Sequence, residues 1–139
     1  MNKTNIFLRD GLDNREERII LLYQIYLLEY DIDQVLEIIY NHTEFNFSDD
    51  QIKVIILILK NKSLLEKKLL NYLPQNWKWS RFGNIEKGLL LDAAAEILIF
   101  KVKKPIIINE AVEFAKKYCD LKTPALINGI LDNFDKEVQ

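Results

Sequence analysis

Apolar residues recur along the chain at intervals of three and four, and the residues that interrupt them arrive at helical rather than strand lengths, which predicts an all-α protein. The first strongly patterned stretch runs from about Asn14 to Tyr30. Asn14 and Glu17 have the spacing of a reciprocal cap, and the run from Ile19 to Leu28 is apolar on most sides, so this helix is expected at the centre of the fold. A shorter helix is expected over Asp33 to Tyr40, followed by a polar connection from Asn41 to Asn46. Ser48 with Gln51, and Ser63 with Glu66, repeat the capping spacing ahead of two more apolar patterns, the second closed off by Pro74.

Pro74 to Asn84, which holds Trp77, Trp79 and Gly83, is the one internal boundary. It is short for a flexible linker and its tryptophans favour packing, so the chain reads as a single domain, 1–139, of two tightly joined helical halves, about 1–75 and 76–139. In the second half Asn84 is placed to cap a long helix to about Phe100, in which Ala93, Ala94 and Ala95 would let a neighbour approach closely. Lys103, Lys104 and Pro105 end it. A helix near Asn109 to Tyr118 follows, then a last one from Thr123 with Pro124 at its first position, giving about seven in all. Gly129 lies inside that last helix at a cost of roughly 1 kcal/mol relative to alanine, which suggests close packing or plain tolerance.

At 139 residues and 49% apolar, the chain can bury a core without staples. Its single cysteine, Cys119, rules out an intramolecular disulfide, and no secretory leader pattern opens the sequence, which points to a reducing cytoplasm. The apolar runs Ile19 to Tyr23 and Val54 to Leu59 fall well short of the roughly 20 residues that span a bilayer, so no membrane association is expected. The formal charge is -2, with 9 basic and 12 acidic residues in 1–75 and 10 and 9 in 76–139. Any nucleic-acid contact must therefore use a local basic patch, and its affinity should fall with added salt.

Reactive chemistry is scarce. His42 is the only histidine, and no HExxH, CxxC, glycine-rich phosphate loop or GxSxG occurs, so no catalytic residue, metal ligand or cofactor site is expected. His42 reads as a solvated loop residue and Cys119 as a small filler. The pairs Asp31 with Asp33 and Asp49 with Asp50 stand at helix starts, where carboxylates complement the dipole. Asp92 and Glu96, four apart among apolar residues, read as one exposed stripe; facing a core they would need partners such as Lys or Asn.

Ile108-Asn109-Glu110-Ala111-Val112-Glu113-Phe114-Ala115-Lys116, followed by Leu126-Ile127-Asn128-Gly129-Ile130-Leu131-Asp132, resembles the paired signatures INEAVELAK and FVNGVLD of the NusB family. Upstream, Trp77, Arg81, Ile85-Glu86-Lys87 and Glu96 resemble further family positions, and the register holds from about Ser63 to Asp132 with one deletion near Pro105. In the first half, Arg15, Arg18, Leu21, Ile25 and Tyr26 are similar to the family's opening pattern R-x-x-R-x-x-A-x-x-x-L-Y. Departures are Leu57 for a usual glycine, Leu91 for an arginine, Ala95 for a tyrosine and Leu126 for the aromatic of FVNG. They mark a diverged member.

The resemblance implies a NusB-type fold of two helical bundles and a non-catalytic adaptor in transcription antitermination and ribosomal-RNA biogenesis. Its partners would be boxA-type leader RNA, a small-subunit ribosomal protein acting as NusE, and through them the transcription elongation complex. Arg15 and Arg18 fall on the family's RNA side; three apart, they would share a helical face and straddle phosphates, or else stand as solvated arginines neutralised by Glu16 and Glu17. Lys3 and Arg9 would add charge, Lys101, Lys103 and Lys104 offer another basic face, and Leu126 removes a stacking platform. Tyr26 and Glu86 fall on the protein-partner side, with Tyr26 readable also as core. The alternative function is a purely protein-binding helical module that has lost RNA. A third is a detached relative of the NusB-like domains joined to ribosomal-RNA cytosine methyltransferases.

Overall fold

The protein is described by a computed structural model over residues 11–41 and 45–136. Lys3, Arg9 and His42 lie outside the described residues. Seven α-helices and no strand occur among the described residues: α1 (Arg15–Leu28), α2 (Ile32–Asn41), α3 (Asp49–Lys60), α4 (Lys62–Leu70), α5 (Asn84–Leu98), α6 (Lys104–Tyr118) and α7 (Thr123–Asn133), with a 3-10 turn at Trp79–Arg81. The all-α expectation is met. No helix among the described residues is long and apolar enough to cross a membrane.

The centre of the fold is α5, not α1. Every residue from Gly88 to Ile97 is buried, because a helix apolar all round can satisfy its surface only by being packed all round. α1 lies along it and buries Ile19, Leu21, Leu22 and Ile25, but leaves Leu27 and Leu28 exposed. The two helices touch backbone to backbone at Gly88, where a Cβ would stand 2.9 Å from the Tyr23 amide nitrogen and 3.2 Å from the Ile19 carbonyl oxygen. α3 and α4 close one flank of α5, and the antiparallel pair α6 and α7 closes another, adding Ile107, Phe114, Ile127 and Leu131 to the core. Each fully buried leucine or isoleucine contributes roughly 1.5–3 kcal/mol.

Local signals were met unevenly. Ser48 and Gln51 form the expected reciprocal cap, Gln51 N donating to Ser48 Oγ at 3.2 Å and Ser48 N to Gln51 Oε1 at 2.8 Å. Asp31 and Gln34 form another at the start of α2. The other two expected boxes are absent. Asn14 is left-handed at φ 64°, and its side chain donates to Glu17 Oε2 instead of accepting from the backbone. Ser63 lies inside α4, whose preceding residue Asn61 donates its side-chain amide back to the Leu57 carbonyl at 2.8 Å, so Glu66 is released for another partner. α6 begins five residues before Asn109, with Pro105 in its first turn, where a missing amide costs nothing. Pro124 stands second in α7, after Thr123. Gly129 is exposed, and a Cβ added there would meet nothing within 4 Å, so tolerance, not close packing, explains it.

Candidate functional site

The first candidate site is where α1 meets α5. Arg15 and Arg18 project toward Asp92 and Glu96, which lie one turn apart on α5. Arg18 Nε donates to Asp92 Oδ1 at 2.6 Å and its Nη2 to Glu96 Oε2 at 3.2 Å, while Nη1 reaches the Leu12 carbonyl at 3.0 Å. Arg18 and Asp92 are each 1% exposed and Glu96 is 0%. Arg15 grips Glu96 in a fork, Nε to Oε2 and Nη2 to Oε1, both at 2.7 Å, and keeps 27% of its side chain exposed. Two expectations are corrected. Asp92 and Glu96 are core residues with arginine partners, not an exposed stripe. Arg15 and Arg18 do not form a solvent-facing pair either, since Arg18 is closed in by carboxylates and only Arg15 reaches the surface.

Electrostatics explain how two arginines and two carboxyl groups sit there. Burial disfavours the Asp92 carboxylate, but the Arg18 charge and hydrogen bond outweigh it and hold Asp92 below the usual carboxylate range. Burial, and then the neighbouring Asp92 charge, push Glu96 up to about 8 against the pull of Arg15. Asp92 thus carries the negative charge, and Glu96 holds a proton near neutrality.

Outward from Arg15, α1 and α6 both rest on α5 and leave between them a cleft of about 380 Å³, with Ile19 and Phe114 among its lining. Side chains bridge its mouth. Glu110 Oε2 stands 3.7 Å from Arg15 Nη1, Lys117 Nζ is 2.9 Å from Glu16 Oε1, and the Tyr118 hydroxyl also donates to Glu16. Those two hydrogen bonds lower the Glu16 pKa. Lys116 pairs with Glu113 at 3.2 Å.

Tyr26 lies toward the other end of α1 and is half-buried. Its hydroxyl donates to Glu66 Oε2 at 2.6 Å, Lys62 Nζ stands 4.5 Å from the ring centroid, and Trp79 meets the ring edge-on at 6.2 Å. Burial, then the bond to Glu66, raises the hydroxyl's pKa. Trp79 and Trp77 both contact Phe82, and Arg81 covers Trp77 at 5.0 Å; Trp79 is half-buried against the core, but Trp77 stays exposed, so only one of the two tryptophans packs as expected. Glu86 is half-buried in the first turn of α5; burial and the nearby Asp120 raise its pKa against a hydrogen bond from the Gly83 backbone. The structure therefore joins Tyr26 to Lys62, Glu66 and Trp79, and sets Glu86 toward the loop after α6.

Of the alternative basic face, Lys101 and Lys103 are exposed, but Lys104 donates to the carbonyls of Asp132 and Phe134 at 2.9 and 2.5 Å and so closes the end of α7. Leu126 is half-buried against the core. Sequence reasoning missed the ties of Glu16 to Lys117 and Tyr118. It also missed the arginine partners of Asp92 and Glu96, although a pair of arginines three apart facing a pair of acids four apart on two buried helices was a usable signal.

The sequence model of the NusB family matches residues 14–136. The chain is 41% identical over 78 residues to the transcription antitermination protein NusB of a Sulfurovum species, covering 56% of this chain and 59% of that one. It is 37% identical over 79 residues to that of Lactococcus lactis, covering 57% and 41%. Against the transcription antitermination protein NusB of an Exiguobacterium species it is 32% identical over 124 residues, covering 88% and 94%. The chain's matched part thus spans about half the length of the first two relatives and nearly all of the third. The family model covers both the arginine pair of α1 and its acidic partners on α5, and together with the Exiguobacterium match over 88% of the chain it shows that the chain belongs to the NusB family.

Proposed function

We propose that this protein is a non-catalytic, cytoplasmic adaptor in transcription antitermination, acting as one domain that binds boxA-type leader RNA together with a NusE-like small-subunit ribosomal protein in the elongation complex. The observation that carries this reading is the family match over residues 14–136, with relatives bearing the antitermination name. An adaptor needs two separate surfaces and no reacting group. Arg15 supports an RNA surface because its guanidinium is preorganised by Glu96 and still partly exposed. Arg18 serves that surface from behind, through Glu96. Lys3 and Arg9 extend the proposed RNA side beyond the described residues. Tyr26, ringed by Lys62 and Trp79, and Glu86 support a protein surface that pairs an aromatic anchor with a carboxylate suited to a basic ribosomal protein.

Burial of Arg18 favours one second reading, a protein-binding module without RNA, since it removes one of the two cations from solvent. Electrophoretic titration of a boxA-type RNA, with and without the NusE-like protein, separates them. Salt-sensitive binding supports the adaptor. Its absence in both titrations leaves the protein-binding module.

A further inference from the structure

We propose that the cleft between α1 and α6 accepts a phosphate of the RNA backbone, with Arg15, Lys116 and Lys117 as its cations and Glu110 as the carboxylate that the phosphate displaces. This rests on the RNA-binding reading above and adds to it a site and a built-in competitor.

The geometry begins with Arg15. Glu96 occupies its Nε and Nη2 at 2.7 Å each, which fixes the plane of the guanidinium and leaves Nη1 toward the cleft. There Glu110 stands at 3.7 Å, well beyond the roughly 2.7–2.9 Å of a charge-assisted hydrogen bond. The donor is oriented but loosely engaged. Across the cleft, Glu110, Glu113, Phe114 and Lys117 follow one another at helical spacing on one face of α6, with Lys116 beside them.

The lysines are also held by exchangeable partners. Lys116 and Lys117 are 59% and 61% exposed, and their partners Glu113 and Glu16 are 60% and 48% exposed. Solvent-exposed pairs of this kind contribute little, so a phosphate that meets several cations at once can replace them. Three cations facing three carboxylates make the cleft electrically neutral when empty, which is why a binding surface here leaves no mark on the overall charge of -2. Its volume of about 380 Å³, against the roughly 10–15 Å³ that one water needs on the same measure, leaves room for a phosphate, and Ile19 and Phe114 give it an apolar side for a sugar or base edge. Phosphate binding then amounts to exchanging one anion for another on an oriented arginine.

The test is fluorescence anisotropy of the full chain with a fluorescein-labelled single-stranded oligouridylate, over a range of salt. Glu110→Gln should bind about two- to fivefold more tightly than wild type, the change expected from removing one exposed competing charge. Lys116→Ala with Lys117→Ala should bind more weakly, and its slope of log affinity against log salt should be shallower by about 1.4, two phosphate contacts at about 0.7 each. All three substituted side chains are exposed, so circular dichroism should show an unchanged fold. If wild type binds with salt sensitivity but both variants match it, the cleft proposal falls and the RNA reading stands. If neither wild type nor Glu110→Gln binds, the cleft proposal falls, and the boxA titrations with and without the NusE-like protein decide the RNA reading. Polyglutamate competing as well as RNA at equal charge would overturn the assignment to phosphate.

Discussion

Arg18 Nε lies 2.6 Å from Asp92 Oδ1, with both side chains closed off from solvent, and this pair fastens α1 to the central helix α5. An ion pair so placed does little for net stability compared with well-packed apolar residues, yet losing one member strands the other in the core. Asp92→Asn should therefore cost about 3–5 kcal/mol in urea unfolding, and Arg18→Met a similar amount. The double variant Arg18→Met with Asp92→Leu should lose much less than the sum. A cost below about 1 kcal/mol for Asp92→Asn would show that the buried charge of Arg18 does not depend on it.

Glu96 differs from its neighbour because its carboxyl is pushed up to about 8. Its folded state binds the proton more tightly than the unfolded chain does, so its contribution is complete below the unfolded value of about 4.3 and is lost as pH rises toward 8. Asp92, held low, has the opposite sign: its contribution is present above about 3.9 and is lost as pH falls. Glu96→Gln, which keeps a neutral group of the same shape, should be milder than Asp92→Asn and should flatten the decline in stability between about pH 5 and 8. Parallel thermal melts of wild type and variant check this; an identical pH slope in the two would count against it.

Gly88 is the point of closest approach between α1 and α5, and the nearest atoms to an added Cβ belong to backbone, which cannot rotate away. Gly88→Ala should cost about 1–3 kcal/mol despite the better helix propensity of alanine. Gly129→Ala, with open space around it, should be neutral or stabilising by up to about 1 kcal/mol. Chemical denaturation of the two variants side by side gives the comparison, and equal effects would remove the packing argument.

Burial, reinforced by Glu86 and Asp120, raises the Cys119 thiol to about 11. At neutral pH its thiolate fraction should be far below that of a free cysteine, whose pKa is about 8.5, so alkylation by iodoacetamide should be slower in the folded chain than in urea. Equal rates in the two conditions would place Cys119 in a different environment.

Tyr26→Phe removes the hydroxyl bonded to Glu66, but leaves Glu66 paired with Lys62 at 3.2 Å and the ring against Trp79. It should cost roughly 1 kcal/mol of stability while keeping partner binding, whereas Tyr26→Ala should weaken binding of the NusE-like protein by tenfold or more. Calorimetric titration of the partner into each variant decides, and unchanged affinity for Tyr26→Ala would take Tyr26 out of the interface.

Helices were legible because their period is local, and the Ser48–Gln51 cap because both partners lie within one turn. What stayed hidden depends on distance in the chain. Arg18 and Asp92 are 74 residues apart, and the arginine pair of α1 shows that its polar side faces the core only when it is matched with the acids of α5. The dense apolar pattern of α1 reads as that of a central helix, whereas α5 is buried in part through small residues, Gly88 and Ala93 to Ala95, whose low apolar weight understates how closely they pack. The cleft was invisible for the same reason: Arg15, Glu16, Glu110 and Lys117 converge only after both helices settle on α5.

Joint binding is the centre of the account, and one equilibrium measures it: the affinity of boxA-type RNA for the full chain, by anisotropy at fixed salt, alone and with saturating NusE-like protein. An adaptor that holds both partners predicts salt-sensitive RNA binding that tightens when the protein partner is present, with the same coupling seen when RNA is varied first. RNA affinity that is absent, or unmoved by the partner, would contradict it.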